Sequence, residues 1–287
     1  MNKILVTGAN GQLGMSFRYW ASRFDDFEFN FTDLPELDLT KQSKLKNYLK
    51  NKPVDCVINC AAYTAVDKAE KENEKTKKLN LGVVQTLCEL AELYSFKLIH
   101  FSTDYVFDGS KNKPYQESDS QSPINFYGDT KAKGEKLILN SGINAWIIRT
   151  SWLFSPFREN FVVKILSLLK SKREISVVND QMGSPTYAID LAKLILKALS
   201  RKSFGSGVKI YHLTNSGNAT WYQIAKKIKE MTNLDCEILP AKSDDKSYIA
   251  KRPRYSVLSC GRIKKDFNLE SRSWTLALND CIEKILN

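Results

Sequence analysis

The sequence has little of what builds metal or disulfide chemistry. There are two histidines, His100 and His212, and six cysteines, at 56, 60, 88, 236, 260 and 281, none in CxxC spacing. Cys56 and Cys60 share one strand-like run, which at about 3.3 Å per residue sets their α-carbons about 13 Å apart, too far for a disulfide or a shared metal. Neither histidine has ligand-spaced neighbours, and His100, inside an apolar run, reads as a satisfied core residue. No metal is expected. Long apolar runs are also missing: none approaches the roughly 18 residues of a membrane span. The run Asn2-Lys3-Ile4-Leu5-Val6 goes straight into a strand with no signal-peptide core, so the expected location is cytoplasmic and no membrane partner is expected.

What is present is ordinary globular composition with a basic excess. The 287 residues carry 43 Lys and Arg against 32 Asp and Glu, a formal charge of +11. Sixteen basic residues against nine acidic lie from Arg201 onward. No block of five or six like charges, aromatic–basic interleaving or zinc-finger spacing supports a nucleic-acid partner. The excess reads as solvated lysine, with some of it, Arg252 included, available to a phosphate-bearing small molecule.

Residues 1–150 alternate short apolar runs with helical patterns. The runs are Ile4–Thr7, Phe27–Thr32, Val54–Asn59, Lys97–Ser102 and Ala145–Thr150; the helical stretches are Gln12–Phe24, Lys41–Asn51, Glu72–Tyr94 and Phe126–Ser141. Such alternation predicts an α/β fold, a Rossmann-type doubly wound parallel sheet covered on both faces. From 151 to 287 the pattern loosens, with helices at Asn160–Ser171, Ile189–Ser200, Thr220–Thr232 and Ser273–Leu286 and strands at Ile175–Val178, Lys209–Leu213 and Glu237–Pro240. This predicts a dinucleotide-binding part over 1–150 and a smaller α/β substrate-binding part over 151–287, with some segments returning to the first.

Thr7-Gly8-Ala9-Asn10-Gly11-Gln12-Leu13-Gly14 links the first strand to the first helix. A pyrophosphate needs glycines there for the turn, for close approach and for packing, and the helix N-terminus adds amides and partial positive charge. Asp33, at the end of the second strand, can accept from both ribose hydroxyls and would repel a 2′-phosphate, which favours NADH; Arg18 nearby keeps NADPH open.

Tyr127-Gly128-Asp129-Thr130-Lys131 is a YxxxK opening a helix, a spacing that puts both side chains on one face. A tyrosine titrates near 10, and an adjacent ammonium is expected to lower that value so that the pair can exchange a proton with a substrate oxygen. Ser102 and Thr103 end the fourth strand, where sheet enzymes of this kind hold ligands.

The GxxGxxG spacing and the later YxxxK resemble the extended short-chain dehydrogenases/reductases. Further blocks narrow the resemblance: Asn59-Cys60-Ala61-Ala62-Tyr63-Thr64-Ala65-Val66-Asp67-Lys68-Ala69-Glu70, then Ser102-Thr103-Asp104-Tyr105-Val106-Phe107-Asp108-Gly109. Arg149-Thr150-Ser151-Trp152, Asn179-Asp180-Gln181 with Gly183 and Pro185-Thr186, and Arg252-Pro253 follow in register. In that order they are similar to the dTDP-4-dehydrorhamnose reductase family.

The resemblance implies NAD(P)H-dependent reduction of the C4 keto group of a dTDP-linked 6-deoxy sugar. It makes Thr103, Tyr127 and Lys131 the catalytic set. It implies a cofactor site of Gly8, Gly11, Gln12, Leu13 and Gly14 at the phosphates, Asp33 at the ribose, Asp38 and Leu39 beside the adenine, and Ala61, Ala62, Tyr63 and Thr64 near the nicotinamide. It implies that Val66, Thr103, Asp104, Tyr105, Trp152 and Arg252 hold the nucleotide sugar. Some relatives form a magnesium-linked dimer, but the corresponding positions here are Met15 and Ile189, which cannot ligate the ion, leaving a monomer or a homodimer without a bridging metal. Two rivals share parts of the pattern: a related nucleotide-sugar reductase or epimerase, and a non-catalytic NAD(P)-binding subunit like the β subunit of methionine adenosyltransferase.

Overall fold

The structure is a computed structural model describing residues 2–201 and 204–287. The strand-forming runs pair where their burial requires. β1 (Asn2–Thr7), β2 (Phe27–Thr32), β3 (Cys56–Asn59), β4 (Lys97–Thr103) and β5 (Ala145–Thr150) form one parallel sheet with a later strand, β10 (Val208–His212). The spatial order is β10-β5-β4-β3-β1-β2. The chain leaves β1 to one side for β2 and returns to its other side for β3, which opens a crevice at the carboxyl ends of these strands.

Between the strands run α1 (Gln12–Ala21), α2 (Gln42–Asn51), the short α3 (Val66–Ala69), α4 (Asn73–Lys77), α5 (Val83–Tyr94) and α6 (Phe126–Leu139). The stretch 72–94, expected as one helix, is α4 and α5 joined by a π turn over Lys78–Gly82. The turn holds Asn80, whose amide both accepts from the Tyr63 backbone N (2.9 Å) and donates to the Tyr63 carbonyl (3.1 Å).

Beyond β5 come β6 (Leu153–Phe154), α7 (Phe161–Ser171), β7 (Glu174–Val178), β8 (Met182–Gly183), β9 (Thr186–Tyr187) and α8 (Ala188–Arg201). After β10 follow β11 (Ala219–Thr220), α9 (Trp221–Thr232), β12 (Glu237–Ala241), α10 (Gly261–Phe267) and α11 (Trp274–Leu286). The two-residue strands and α10 carry too short a pattern to be read from sequence. One face of the main sheet packs on α1, α8 and α10 through Phe17, Ile195 and Phe267; the other packs on α2 and α5 through Leu45, Leu87 and Ile147. A third core, with Ile165, Ile228 and Leu278, joins α7, α9 and α11. Thus α8 and β10, late in the chain, complete the first layer system.

Candidate active site

The glycine loop divides its three glycines by task. Gly8 has φ +62°, and a Cβ there would lie 2.6 Å from Ala61 N, so the turn and the neighbouring loop both require glycine. A Cβ on Gly14 would meet Gly8 O at 2.4 Å, so this glycine packs helix against loop. On Gly11 it would touch only Gly8 O, at 3.3 Å, leaving that face open to a ligand at the start of α1. The loop is tied to β2 by Asp33, which accepts from Asn10 N (2.9 Å) and from Leu34 N (2.8 Å). Arg18 lies over the Phe31 ring, 4.8 Å from its centroid.

A cleft of about 520 Å³ opens beside this loop along the strand ends. It brings together Gly11, Gln12, Leu13, Ala62, Thr64, Val66, Thr103, Asp104, Tyr105, Tyr127, Lys131 and Trp152 from the sequence reading. The others lie elsewhere. Gly8, Gly14 and Ala61 stand behind the loop. Asp38 is turned to Thr40, accepting from its backbone N (2.9 Å) and hydroxyl (2.7 Å), and Leu39 is buried in the core. Tyr63 does not line the cleft: its ring packs under Lys75, whose Nζ is 5.5 Å from the centroid, because Asn80 holds its backbone facing the helices. Arg252 lines an adjoining cavity that shares Tyr105, Phe161 and Trp221 with the cleft.

The start of α6 is fixed from three sides. Asn125 caps it, accepting from Gly128 N at 2.7 Å, and donates through Nδ2 to Lys251 O at 2.8 Å. Glu70 accepts from Phe126 N at 2.8 Å. A Cβ on Gly128 would sit 2.2 Å from Tyr105 O, so only glycine lets the helix press against the turn after β4. That turn begins at Thr103, whose hydroxyl accepts from Tyr105 N (3.2 Å) and donates to Asp104 Oδ1 (3.0 Å). The Tyr105 and Tyr127 rings meet edge to face with centroids 5.9 Å apart.

Burial governs the titration of these groups. It pushes the Tyr127 phenol up to about 12, opposed by the Thr103 hydroxyl. The expected lowering by Lys131 is therefore not found: burial sets the direction. Lys131 Nζ instead lies 3.1 Å from His100 Nε2, and burial brings that lysine down to about 8 against the pull of Glu135. Burial likewise raises Asp104 to about 6, with the Ser256 and Thr103 hydroxyls opposing.

Three buried oxygens in the cleft, Ser102 Oγ, Asp104 Oδ2 and Thr150 Oγ1, make no well-formed hydrogen bond among the described residues. Buried polar atoms left this way fit a polar ligand. Facing them, Trp152 has φ +47° and stacks on Trp221 with centroids 3.6 Å apart and planes within 6°. Gly183 leaves room for it: a Cβ there would be 2.4 Å from the Trp152 ring. Sequence reasoning missed Asn59 and His100 behind Lys131, and Asn160, Phe161 and Trp221 on the opposite wall. Asn59 lay inside a quoted block and was open to discovery; Trp221 belongs to no block. Arg252 is paired with Asp67, its NH2 2.5 Å from Oδ2, and covers the Tyr248 ring at 3.7 Å.

The family described as the RmlD substrate binding domain matches residues 1–287. The dTDP-4-dehydrorhamnose reductase of Aggregatibacter actinomycetemcomitans is 36% identical over 291 residues, covering 98% of each chain. A Clostridium acetobutylicum dTDP-4-dehydrorhamnose reductase structure superposes with a TM-score of 0.93 at 35% identity, over 99% of this chain and 100% of that one. The Bacillus anthracis dTDP-4-dehydrorhamnose reductase, solved in complex with NADP, gives a TM-score of 0.92 at 33% identity over 99% of both chains.

Proposed function

This chain belongs to the dTDP-4-dehydrorhamnose reductase family, and from that premise we propose how its cleft carries out a carbonyl reduction. The protein reduces the C4 keto group of dTDP-4-dehydro-6-deoxy-L-mannose to give dTDP-L-rhamnose, with NADH or NADPH as reductant. The observation that carries this reading is the meeting of an open-faced glycine loop with Thr103, Tyr127 and Lys131 in one cleft lined by buried oxygens that make no well-formed hydrogen bond among the described residues.

The cofactor would lie on Gly11, Gln12 and Leu13 with its phosphates at the start of α1, its adenosine ribose at Asp33, its adenine near Asp38 and Leu39, and its nicotinamide by Ala62 and Thr64. Gly8, Gly14, Ala61 and Tyr63 support that path through their backbone. A nicotinamide held there would supply the hydride that C4 receives. A phenol raised to about 12 still holds its proton at neutral pH, which suits Tyr127 to protonate the oxygen that becomes strongly basic as hydride arrives. Thr103, now donating to Asp104, turns its hydroxyl to the substrate oxygen and steadies it. Lys131 would hold the nicotinamide ribose. Val66, Asp104, Tyr105 and Trp152 face the sugar, with the aromatic ring against its apolar side, and Arg252 receives the nucleotide diphosphate.

Residues 1–150 thus serve the cofactor and 151–287 mainly the sugar nucleotide, with α8 and β10 returning to the first part. The assembly is read as a monomer or a homodimer without bridging metal, since Met15 and Ile189 offer no ligand atom and Ile189 lies in the core. The reaction is read as cytoplasmic. Oxidation of NADH or NADPH with dTDP-4-keto-6-deoxy-L-mannose, set beside UDP-linked analogues, tests all of this. Turnover with the UDP sugars alone would assign a related reductase, and no turnover with any sugar nucleotide would leave a binding module.

A further inference from the structure

Between β6 and α7 the chain runs as a strap, residues 155–160, across to the glycine loop. It touches that loop on both sides of Gly11. Ser155 Oγ lies 3.0 Å from Gln12 Oε1, and Arg158 Nε donates to Asn10 O at 2.7 Å. Asn160 locks the strap. Its Nδ2 donates to Ser155 O (2.8 Å) and Arg158 O (3.1 Å), while its Oδ1 caps α7 by accepting from Val162 N (3.0 Å). The lock holds Arg158 at φ +60°, a left-handed conformation that a residue with a side chain adopts at a cost. One exposed bond to a neutral carbonyl is a small return for that strain. The two terminal guanidinium nitrogens have no partner among the described residues, so most of the cation's donors stay free.

We propose that Arg158 is a cofactor-binding residue whose guanidinium clasps the pyrophosphate of the dinucleotide against the glycine loop. This rests on the reading of the cleft as an NAD(P)H site. Gly11 is the open face of that loop, and the two ties of the strap, at Asn10 and Gln12, flank it. A diphosphate on Gly11 would meet the amides and partial positive charge at the start of α1, and the strap would add a full charge beside them. A guanidinium suits the place because its planar fork can leave one N–H on a backbone carbonyl and turn the others to phosphate oxygens. The neighbouring carboxylates do not consume that charge. Asp33 accepts from Asn10 N and Leu34 N, and Glu159, next in the chain, lines the cleft. Neither forms an ion pair with Arg158 among the described residues.

The test is isothermal titration calorimetry of the substrate-free protein with NADH, NADPH and ADP-ribose, the last keeping the adenosine and pyrophosphate without the nicotinamide. Glycine accepts φ +60°, so Arg158→Gly should fold as the wild type does. Its Kd is expected to rise about 10-fold for all three ligands, the scale of one charge-assisted hydrogen bond, and its dependence on potassium chloride to flatten. Arg158→Lys keeps a point charge without the fork and should recover part of the loss. A loss confined to NADPH overturns the assignment by moving Arg158 to the 2′-phosphate. An unchanged Kd in a natively folded Arg158→Gly overturns it outright. So does a raised Kd with the wild-type salt dependence and no recovery in Arg158→Lys, the mark of a brace. The titrations contain no sugar nucleotide, so a protein that reduces no sugar would lose the reductase reading and keep the Arg158 result. A wild type that binds none of the three ligands would instead remove the cofactor site itself, and the proposal with it.

Discussion

On one side of the cleft, Thr103, Tyr127 and Lys131 come from the end of β4 and the first turns of α6, Thr103 and Lys131 buried, Tyr127 half-buried, and each within reach of a polar neighbour. On the other, Trp152, Phe161 and Trp221 come from a left-handed residue after β5 and from the starts of α7 and α9, and Arg252 comes from the loop after β12. The first wall is largely buried, and its titratable groups Asp104, Tyr127 and Lys131 are displaced from their ordinary values. The second offers ring faces and an ion pair left partly open, with the Arg252 and Asp67 side chains 14% and 36% exposed. A largely buried wall with displaced protons acts on the chemical step; a wall of flat rings and a partly solvated cation acts on binding. Substitutions on the two sides should therefore divide between kcat and KM.

The largest effect expected is that of Tyr127→Phe. Folding and cofactor binding should survive, while turnover falls by at least roughly 100-fold, the scale of acid catalysis. A stopped-flow single-turnover measurement reads the chemical step directly, and near-normal turnover would place the proton donor elsewhere. Asp104→Asn probes the same wall through stability. Burial raises the folded-state value from 3.8 to about 6, so the folded protein binds the extra proton between those limits. Stability then falls as pH rises from about 4 to about 6 and is flat above, a loss of about 2–3 kcal/mol. Urea unfolding across that range should show the slope in the wild type and not in the variant, which keeps an oxygen for the Thr103 hydroxyl.

The two walls were not equally legible. The first was open to reading because its residues sit at the ends of regular elements: the runs at 27–32 and 145–150 coincide with β2 and β5, and YxxxK opens α6. Its electrostatics were not legible. That Lys131 turns to His100, and that Tyr127 is raised and not lowered, depends on β3, β4 and α6 converging, which no spacing encodes. His100 read as a satisfied core residue, and it is buried and hydrogen-bonded; the identity of its partner was the missing fact. On the second wall only Trp152 and Arg252 stood inside quoted blocks. Trp221 was hidden because its stacking partner is far away in the chain and a single tryptophan at a helix start has no periodicity to betray it.

A smaller effect, confined to binding, is expected of Arg252→Ala. Removing a partly exposed cation that can meet a diphosphate should raise KM for the sugar nucleotide by about 10-fold, with kcat and the cofactor's KM nearly unchanged. The Asp67→Asn protein controls for the ion pair. It frees the guanidinium from its carboxylate, so KM should fall or hold if Arg252 serves the substrate, and should rise with Arg252→Ala if the pair only braces the loop to α3. That comparison sharpens the contrast most, because Asp67 also accepts from Ile249 N (2.9 Å) and Ala250 N (3.0 Å), which an amide oxygen can still do. The loop should therefore stay in place while its charge changes. A drop in kcat as large as that of Tyr127→Phe would mean that the second wall reaches the chemical step after all.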